Sequence, residues 1–168
     1  MIRAYAMSDV HPLHRMMKEN AADLNHTFPL SVAGTATVMK TRKFVLQKQA
    51  DRKSGLILVC GVFDTNEQLI GHVLFTKFDW TVPKCDMGYF IAKQFTGKGL
   101  GTAVAKAFAE WGFERLKLEK ITMRIWPKNL ASVAIAKKLK AREIGVAKND
   151  FRSLNGELMD CSLYELYP

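Results

Sequence analysis

The residues whose types and spacing best suit chemistry are Gln94-Phe95-Thr96-Gly97-Lys98-Gly99-Leu100-Gly101-Thr102, between an apolar run ending near Ile91 and a long amphipathic stretch. Glycines at alternate positions carry no Cβ, so successive N–H groups can turn into one concavity and approach an anion closely. A helix starting there adds its positive end. The chemistry implied is the holding of phosphate or pyrophosphate. It is not a Walker loop, since Ala92 stands at the leading glycine and Gly99 follows Lys98 where Ser or Thr is needed. It is not a dinucleotide fingerprint either, since no acidic residue ends a following strand about 20 residues on. Gln94, Gly97 and Gly99 do satisfy Q/R-x-x-G-x-G/A. That pattern arises by chance in roughly one chain of this length in six, so its place between a strand and a helix carries the weight.

Other reactive side chains offer less. His11 and His14 lie one helical turn apart without a third ligand and read as surface histidines. Cys60, Cys85 and Cys161 are far apart and form no C-x-x-C pair, which suggests free thiols in a reducing cytoplasm.

The elements that must position the loop follow from periodicity. Residues 2–5 predict a short strand, and Ser8 a cap for a helix carrying Val10, Leu13, Met16, Met17 and Leu24, with Pro12 in its first turn. The pattern breaks over 26–31. A second helix is expected from Thr35, with Val38, Met39, Val45 and Leu46 toward a core, ending at 51–55. The apolar run 56–63 reads as a buried strand, paired through a polar turn with 69–78; a third strand covers 85–91. After the loop, Leu100, Ala103, Val104, Ala107, Phe108 and Trp111 trace the stripe of a helix packed on a sheet. A strand over 120–126 is closed by Pro127, Asn129 caps a helix carrying Val133, Ile135, Ala136 and Leu139, and strands at 142–146 and 158–166 flank an Asn155-Gly156 turn. The expectation is one α/β domain over residues 1–168, with a mixed sheet of about seven strands and about four helices.

Composition limits the partners. The chain has 168 residues, is 48% hydrophobic, and carries a net charge of +9. That charge attracts something anionic: a phosphorylated cofactor, nucleic acid, an acidic protein or a membrane surface. The basic residues are scattered, so a nucleic-acid face is not favoured. No stretch approaches the roughly 18 apolar residues of a membrane span, and the first ten residues lack a leader's apolar core. A soluble cytoplasmic protein is expected, as a monomer or homodimer.

Gly88-Tyr89-Phe90-Ile91, then Gln94-x-x-Gly97-x-Gly99-Leu100-Gly101-Thr102, and later Asn129-Leu130-Ala131-Ser132 resemble the signature of the GNAT acetyltransferases. Glu19-Asn20, Phe28-Pro29 and the Asn155-Gly156 turn before Asp160 resemble more narrowly the branch that acetylates N-termini of ribosomal proteins. The resemblance covers essentially the whole chain. It implies a mostly antiparallel GNAT sheet, with acetyl-coenzyme A in a split between the strands at 85–91 and 120–126. Tyr89, Phe90 and Ile91 would line the cofactor, the amides from Phe95 or Thr96 to Thr102 would take its pyrophosphate, and Asn129 would both cap its helix and bond the cofactor.

The resemblance also implies the reaction, direct transfer of an acetyl group to a primary amine in a ternary complex. The amine loses a proton, attacks a thioester, and expels a thiolate that is then protonated. At pH 7 about a tenth of an α-amine of pKa near 7.8 is already neutral, against about one lysine in 2,500. An N-terminal amine therefore needs the weaker base. Ser132 resembles a serine that some members place near the sulfur, with helix capping as its alternative role. Many members use a tyrosine one turn on, where this chain has Ala136, and Tyr164 is the candidate substitute. Lys140-Ala141 replace the usual Gly-Phe. Asp86 and Asp150 are the candidate bases, and Phe28 and His72 candidates for the substrate cleft. The acceptor is a protein N-terminus, acidic by charge complementarity, or a small-molecule amine. A non-catalytic acyl-coenzyme A sensor or scaffold is the alternative that the missing tyrosine supports.

Overall fold

The computed structural model describes residues 1–168. The N-terminal part comprises β1 (Ile2–Ala4), α1 (Val10–Glu19), the short helices α2 (Ala21–Leu24) and α3 (Pro29–Gly34), and α4 (Val38–Lys53). The middle supplies β2 (Leu58–Phe63), β3 (Leu69–Asp79), β4 (Lys84–Ile91) and α5 (Leu100–Leu116). Then come β5 (Lys120–Ile125), α6 (Leu130–Lys138), β6 (Arg142–Arg152) and β7 (Leu158–Leu166). The strands make one seven-stranded sheet in the order β1-β2-β3-β4-β5-β7-β6. Every pairing is antiparallel except β4 with β5. The mixed, mostly antiparallel sheet expected from sequence is present, with six helices in place of about four. The additional ones, α2 and α3, are too short to show a helical period, and Pro29 opens α3 at a position where its missing N–H costs nothing.

The unbroken apolar run of β2 reflects burial on both faces. Leu58, Cys60 and Val62 join the core beneath α5 and α6, while Val59 and Phe63 join the core beneath α1 and α4. Leu56 and Ile57 precede the strand, and Leu56 is exposed.

The helices depart from expectation at their ends and faces. Asp9, not Ser8, stands before α1; its carboxylate accepts the Ala6 N–H at 2.7 Å and pairs with Arg3 at 2.6 Å. Thr37 rather than Thr35 caps α4, accepting the Lys40 N–H at 3.2 Å. Thr35 is buried, and its hydroxyl donates to the Ser31 carbonyl at 2.7 Å. Val45 faces the core, but Val38, Met39 and Leu46 are exposed, and Thr41 fills an inner position with its hydroxyl bonded to the Thr37 carbonyl at 2.8 Å. On α5 the buried face is Ala105, Phe108, Ala109 and Gly112, about one residue round from the expected stripe. Ala103, Ala107 and Trp111 overhang β1 and β2 beside a groove of about 600 Å³. Gly112 allows the shift, because a Cβ there would come 2.9 Å from the Phe75 ring, which stacks on Phe108 at 4.0 Å. No helix is long and apolar enough to cross a membrane.

Candidate functional site

β4 and β5 pair only at Lys84–Lys120, Cys85–Ile121 and Asp86–Thr122. Beyond those pairs β5 follows β7 through Met123, Arg124 and Ile125, and β4 follows β3 to Ile91. The two parallel strands therefore diverge. Backbone groups on the opened edge of β4, from Met87 onward, lack a strand partner, and such groups demand one from elsewhere.

The glycine loop sits at the end of that opened edge. After a 3₁₀ turn at Lys93–Phe95, the Phe95 and Thr96 amides donate to the Ala92 and Lys93 carbonyls. The next six amides, from Gly97 to Thr102, have no backbone acceptor; the first closed turn of α5 runs from the Ala103 N–H to the Gly99 carbonyl at 3.1 Å. An anion clamp here is thus 97–102, shorter than expected, since Phe95 and Thr96 are already bonded. Gly97 and Gly99 have φ of 81° and 75°, and a Cβ on either would meet nothing within 4 Å, so glycine is required for conformation and not for space. Gly101 lies in the first turn of α5, where a Cβ would approach Ile135 of α6 at 3.1 Å. Gln94 and Lys98 are exposed, Leu100 and Thr102 half-buried, and Phe95 packs where the two cores meet. Asn20, buried at the end of α1, steadies the approach: its Oδ1 accepts the Lys93 N–H at 2.9 Å while its Nδ2 donates to the Met16 carbonyl at 2.8 Å.

The split borders a cavity of about 310 Å³. Phe28, Asp86, Tyr89, Asn129, Ser132 and Asp150 all line it, so most of the expected site residues come together. Asn129 Oδ1 accepts the Ser132 N–H at 3.1 Å, which makes Asn129 the cap of α6. Ser132 is capped by it, and its hydroxyl takes no part. The Tyr89 hydroxyl is buried without a hydrogen-bond partner. Burial pushes its pKa up to about 12, against a smaller downward pull from the Ser132 side chain, although no well-formed hydrogen bond joins the two hydroxyls. Phe90 and Phe28 meet edge to face, with ring centroids 5.4 Å apart.

Arg124, absent from the expected set, organises the carboxylates. Its Nε donates to Asp86 at 2.7 Å and its Nη1 to Asp150, while Lys77 approaches the same Asp86 oxygen at 3.1 Å. Burial alone would lower the Arg124 pKa; the bonds to Asp86 and Asp150 outweigh it and raise the value. Asp150 reaches the cluster through a bulge. The β6–β7 register shifts between Ala147 and Phe151, Asn149 has φ of 51°, and Asp160 accepts the Asn149 N–H at 2.9 Å. β6 accordingly runs to Arg152 instead of stopping near Val146.

Of the expected site residues on strands, His72, Phe90, Ile91 and Tyr164 do not line the cavity; Phe90 and Ile91 pack against the two cores. His72 is fully buried, with Nδ1 2.8 Å from the Tyr5 hydroxyl and Nε2 3.5 Å from that of Ser31, and burial depresses its pKa to about 3. It supports Phe28 and Phe90 from behind and does not line the cavity. Tyr164 belongs to the core under α5 and α6 and does not reach the cavity either. Ala136, where the family's usual tyrosine would stand, is also buried in that core. Conversely, His26 and Trp126 line the cavity with their rings stacked. Trp126 ends the strand expected over 120–126, whereas neither a helical nor a strand period marks His26 in the sequence.

A mixed sheet that parts between two parallel strands, with a free-amide loop at the head of a helix, is an arrangement able to take a phosphorylated carrier. Residues 1–142 match the family described as an acetyltransferase (GNAT) domain, and the chain belongs to that family. The family's members are acyl-coenzyme A-dependent acetyltransferases. The chain is 29% identical over 122 residues, 71% of its length, to the Bacillus subtilis protein named "Probable N-acetyltransferase YjcK". Matched segments span 46% to 67% of the lengths of the curated relatives. Among solved structures it resembles a RimL ribosomal L7/L12 α-N-protein acetyltransferase in complex with coenzyme A, with a TM-score of 0.88, 23% identity, and 99% and 92% of the two chains covered. It also resembles Mycobacterium smegmatis RimJ in complex with a coenzyme A disulfide, with a TM-score of 0.88, 19% identity, and 99% and 80% covered. At those identities the likeness is one of fold.

Proposed function

We propose that this protein transfers the acetyl group of acetyl-coenzyme A directly to a primary amine, with a protein N-terminus as the preferred acceptor. The observation that carries this is the continuity of the opened edge of β4 with the six unpartnered amides of 97–102, beside a cavity lined by ionisable groups. The donor set fits the cofactor: amides for the pyrophosphate, the β4 edge for its pantetheine arm, and Asn129 and Ser132 near its thioester end. When bound, acetyl-coenzyme A supplies an activated acyl group on a sulfur leaving group.

The chain's residues then have simple tasks. The Ser132 hydroxyl, not engaged in capping, gives its proton to the departing sulfur and takes in exchange the proton shed by the acceptor nitrogen. Asn129 fixes the start of α6 and thus the position of Ser132. Arg124 holds the Asp86 and Asp150 side chains in place on the acceptor side, where with Lys77 the formal charges of the cluster sum to zero. Resemblance to protein N-terminal acetyltransferases and a net charge of +9 support an acidic peptide over a polyamine.

The test is thiol release from acetyl-coenzyme A with a panel of N-terminal peptides and small amines, with mass spectrometry of the products. Amine-dependent release is expected. Release that ignores the amine overturns the reading, and tight binding without turnover favours the sensor alternative, which the absence of tyrosine at Ala136 supports. Ser132→Ala should lower kcat with little change in acetyl-coenzyme A affinity; unchanged kcat would remove Ser132 from the chemistry.

A further inference from the structure

We propose that His26 is the group that accepts the proton of the acceptor amine, with Trp126 and Glu157 as its positioning residues. This rests on the transferase reading above and names the residue on the acceptor side that deprotonation requires. His26 lies between α2 and α3, lines the cavity, and stacks on Trp126 at the end of β5, with ring centroids 5.2 Å apart and 26° between the planes. Stacking fixes the plane of the imidazole, and the turn between β6 and β7 lies along its edge. Glu157 Oε2 lies 3.8 Å from Nδ1, and the Leu154 N–H bonds the Asn25 carbonyl at 3.3 Å, tying that turn to the His26 loop. Nδ1 is buried without a hydrogen-bond partner, although about a quarter of the side chain, 26%, is exposed.

Two features of the cavity single out His26. An unpartnered buried polar atom costs about 1–3 kcal/mol, and across the chain only two side-chain atoms bear this cost, His26 Nδ1 and Tyr89 Oη. Both belong to residues lining this one cavity. The other proton acceptors there are committed: Asp86 to Arg124 and Lys77, and Asp150 to Arg124. An amine would have to displace the guanidinium or the ammonium to reach those oxygens. Cys161, also in the lining, is a thiol whose pKa burial pushes up to about 12.

In the arrangement proposed, Nδ1–H turns to Glu157 and the lone pair of Nε2 meets the amine, the logic of a base oriented by a carboxylate. Nε2 takes one proton from the acceptor ammonium and later releases it to solvent. The freed nitrogen lone pair forms the N–C bond, the C–S pair stays on sulfur, and the second N–H proton ends on that sulfur by exchange through the Ser132 hydroxyl. The charged groups facing His26 and its cavity are Glu157 from the β6–β7 turn, Asp86 from β4, Arg124 from β5, Asp150 from β6 and Lys77 from β3. The last four pair among themselves.

The experiment compares wild type with His26→Phe, which keeps a ring on Trp126, and with His26→Ala, using acetyl-coenzyme A and a peptide with a free N-terminus. Wild-type turnover, measured first, tests the transferase reading itself, so failure of that reading is separable from failure of this one. Without a base the enzyme must wait for the neutral tenth of the amine, so His26→Phe should lose about tenfold in kcat/KM at pH 7 and approach wild type at pH 9. Acetyl-coenzyme A affinity should stay within about twofold, added imidazole should restore the alanine variant, and ¹⁵N NMR should show His26 Nε2 shifting when the peptide joins the dead-end complex with coenzyme A. A loss under twofold at pH 7 overturns the proposal, as does a defect that persists at pH 9 and resists imidazole.

Discussion

Arg124 illustrates how one side chain redirects the chemistry available to its neighbours. Asp86 and Asp150 have the right residue type and position for a base, yet both accept hydrogen bonds from the guanidinium, so an amine would compete with Arg124 for their oxygens. His72 shows a complementary case, an imidazole removed from acid–base work by burial. Its pKa near 3 lies below the ordinary value of about 6.5, so between those limits the unfolded chain binds one more proton than the folded one. The stability contributed by a neutral His72 is whole above pH 6.5 and is lost progressively as pH falls toward 3. Urea unfolding between pH 6.5 and 4.5 should show stability declining by up to about 1.4 kcal/mol per pH unit from this residue. His72→Gln, which retains polar atoms for Tyr5 and Ser31, should flatten that decline; an unchanged slope would place its source elsewhere. Asp9, whose pKa is lowered because the bonds to Arg3 and Ala6 outweigh its burial, acts in the separate window below the ordinary carboxylate value of about 4.

At the level of elements, the junction of β4, the glycine loop and α5 was the most legible part of the sequence, because glycine spacing, strand and amphipathic period all point the same way. Asn129 was legible as a cap for the same local reason. Arg124, His26 and the bulge that aims Asp150 were not. Their roles depend on which strands become neighbours and on a register shift between β6 and β7, and neither leaves a periodic trace. His72 misled because an alternating strand gives no sign of which face a loop will cover, and here Tyr5, Phe28 and Ser31 cover it. The loop itself predicts a contrast. Gly99 holds φ of 75° with open space around an added Cβ, so Gly99→Val meets backbone strain of about 1–2 kcal/mol and no clash. Asparagine tolerates that region far better. Calorimetric titration with acetyl-coenzyme A should show Kd raised at least about tenfold for Gly99→Val and less for Gly99→Asn in folded variants. Equal binding by all three proteins would detach the amides of 97–102 from the cofactor.

The molecule as a whole is two cores on opposite faces of one sheet that is joined across its middle by only three parallel pairs. What else ties the two sides includes α5 against α6, which meet at Gly101 and Ile135, and the ion pair of Arg124 on β5 with Asp86 on β4. A ligand seated in the split contacts both sides and so should stabilise the global fold and not one loop. At one hundred times Kd, acetyl-coenzyme A should add about 2.7 kcal/mol, which for a chain of this length raises Tm by roughly 5–10 °C. The net charge of +9 complicates the reading, because any polyanion relieves self-repulsion in such a protein. Inorganic pyrophosphate and duplex DNA separate the two effects. A screening contribution should vanish between about 50 and 200 mM salt, whereas one from the split should survive that change and increase the hydrogen-exchange protection of the Met87, Tyr89 and Ile91 amides. A Tm shift that pyrophosphate or DNA reproduces, without new protection along β4, would mean that charge and not the split sheet holds the ligand.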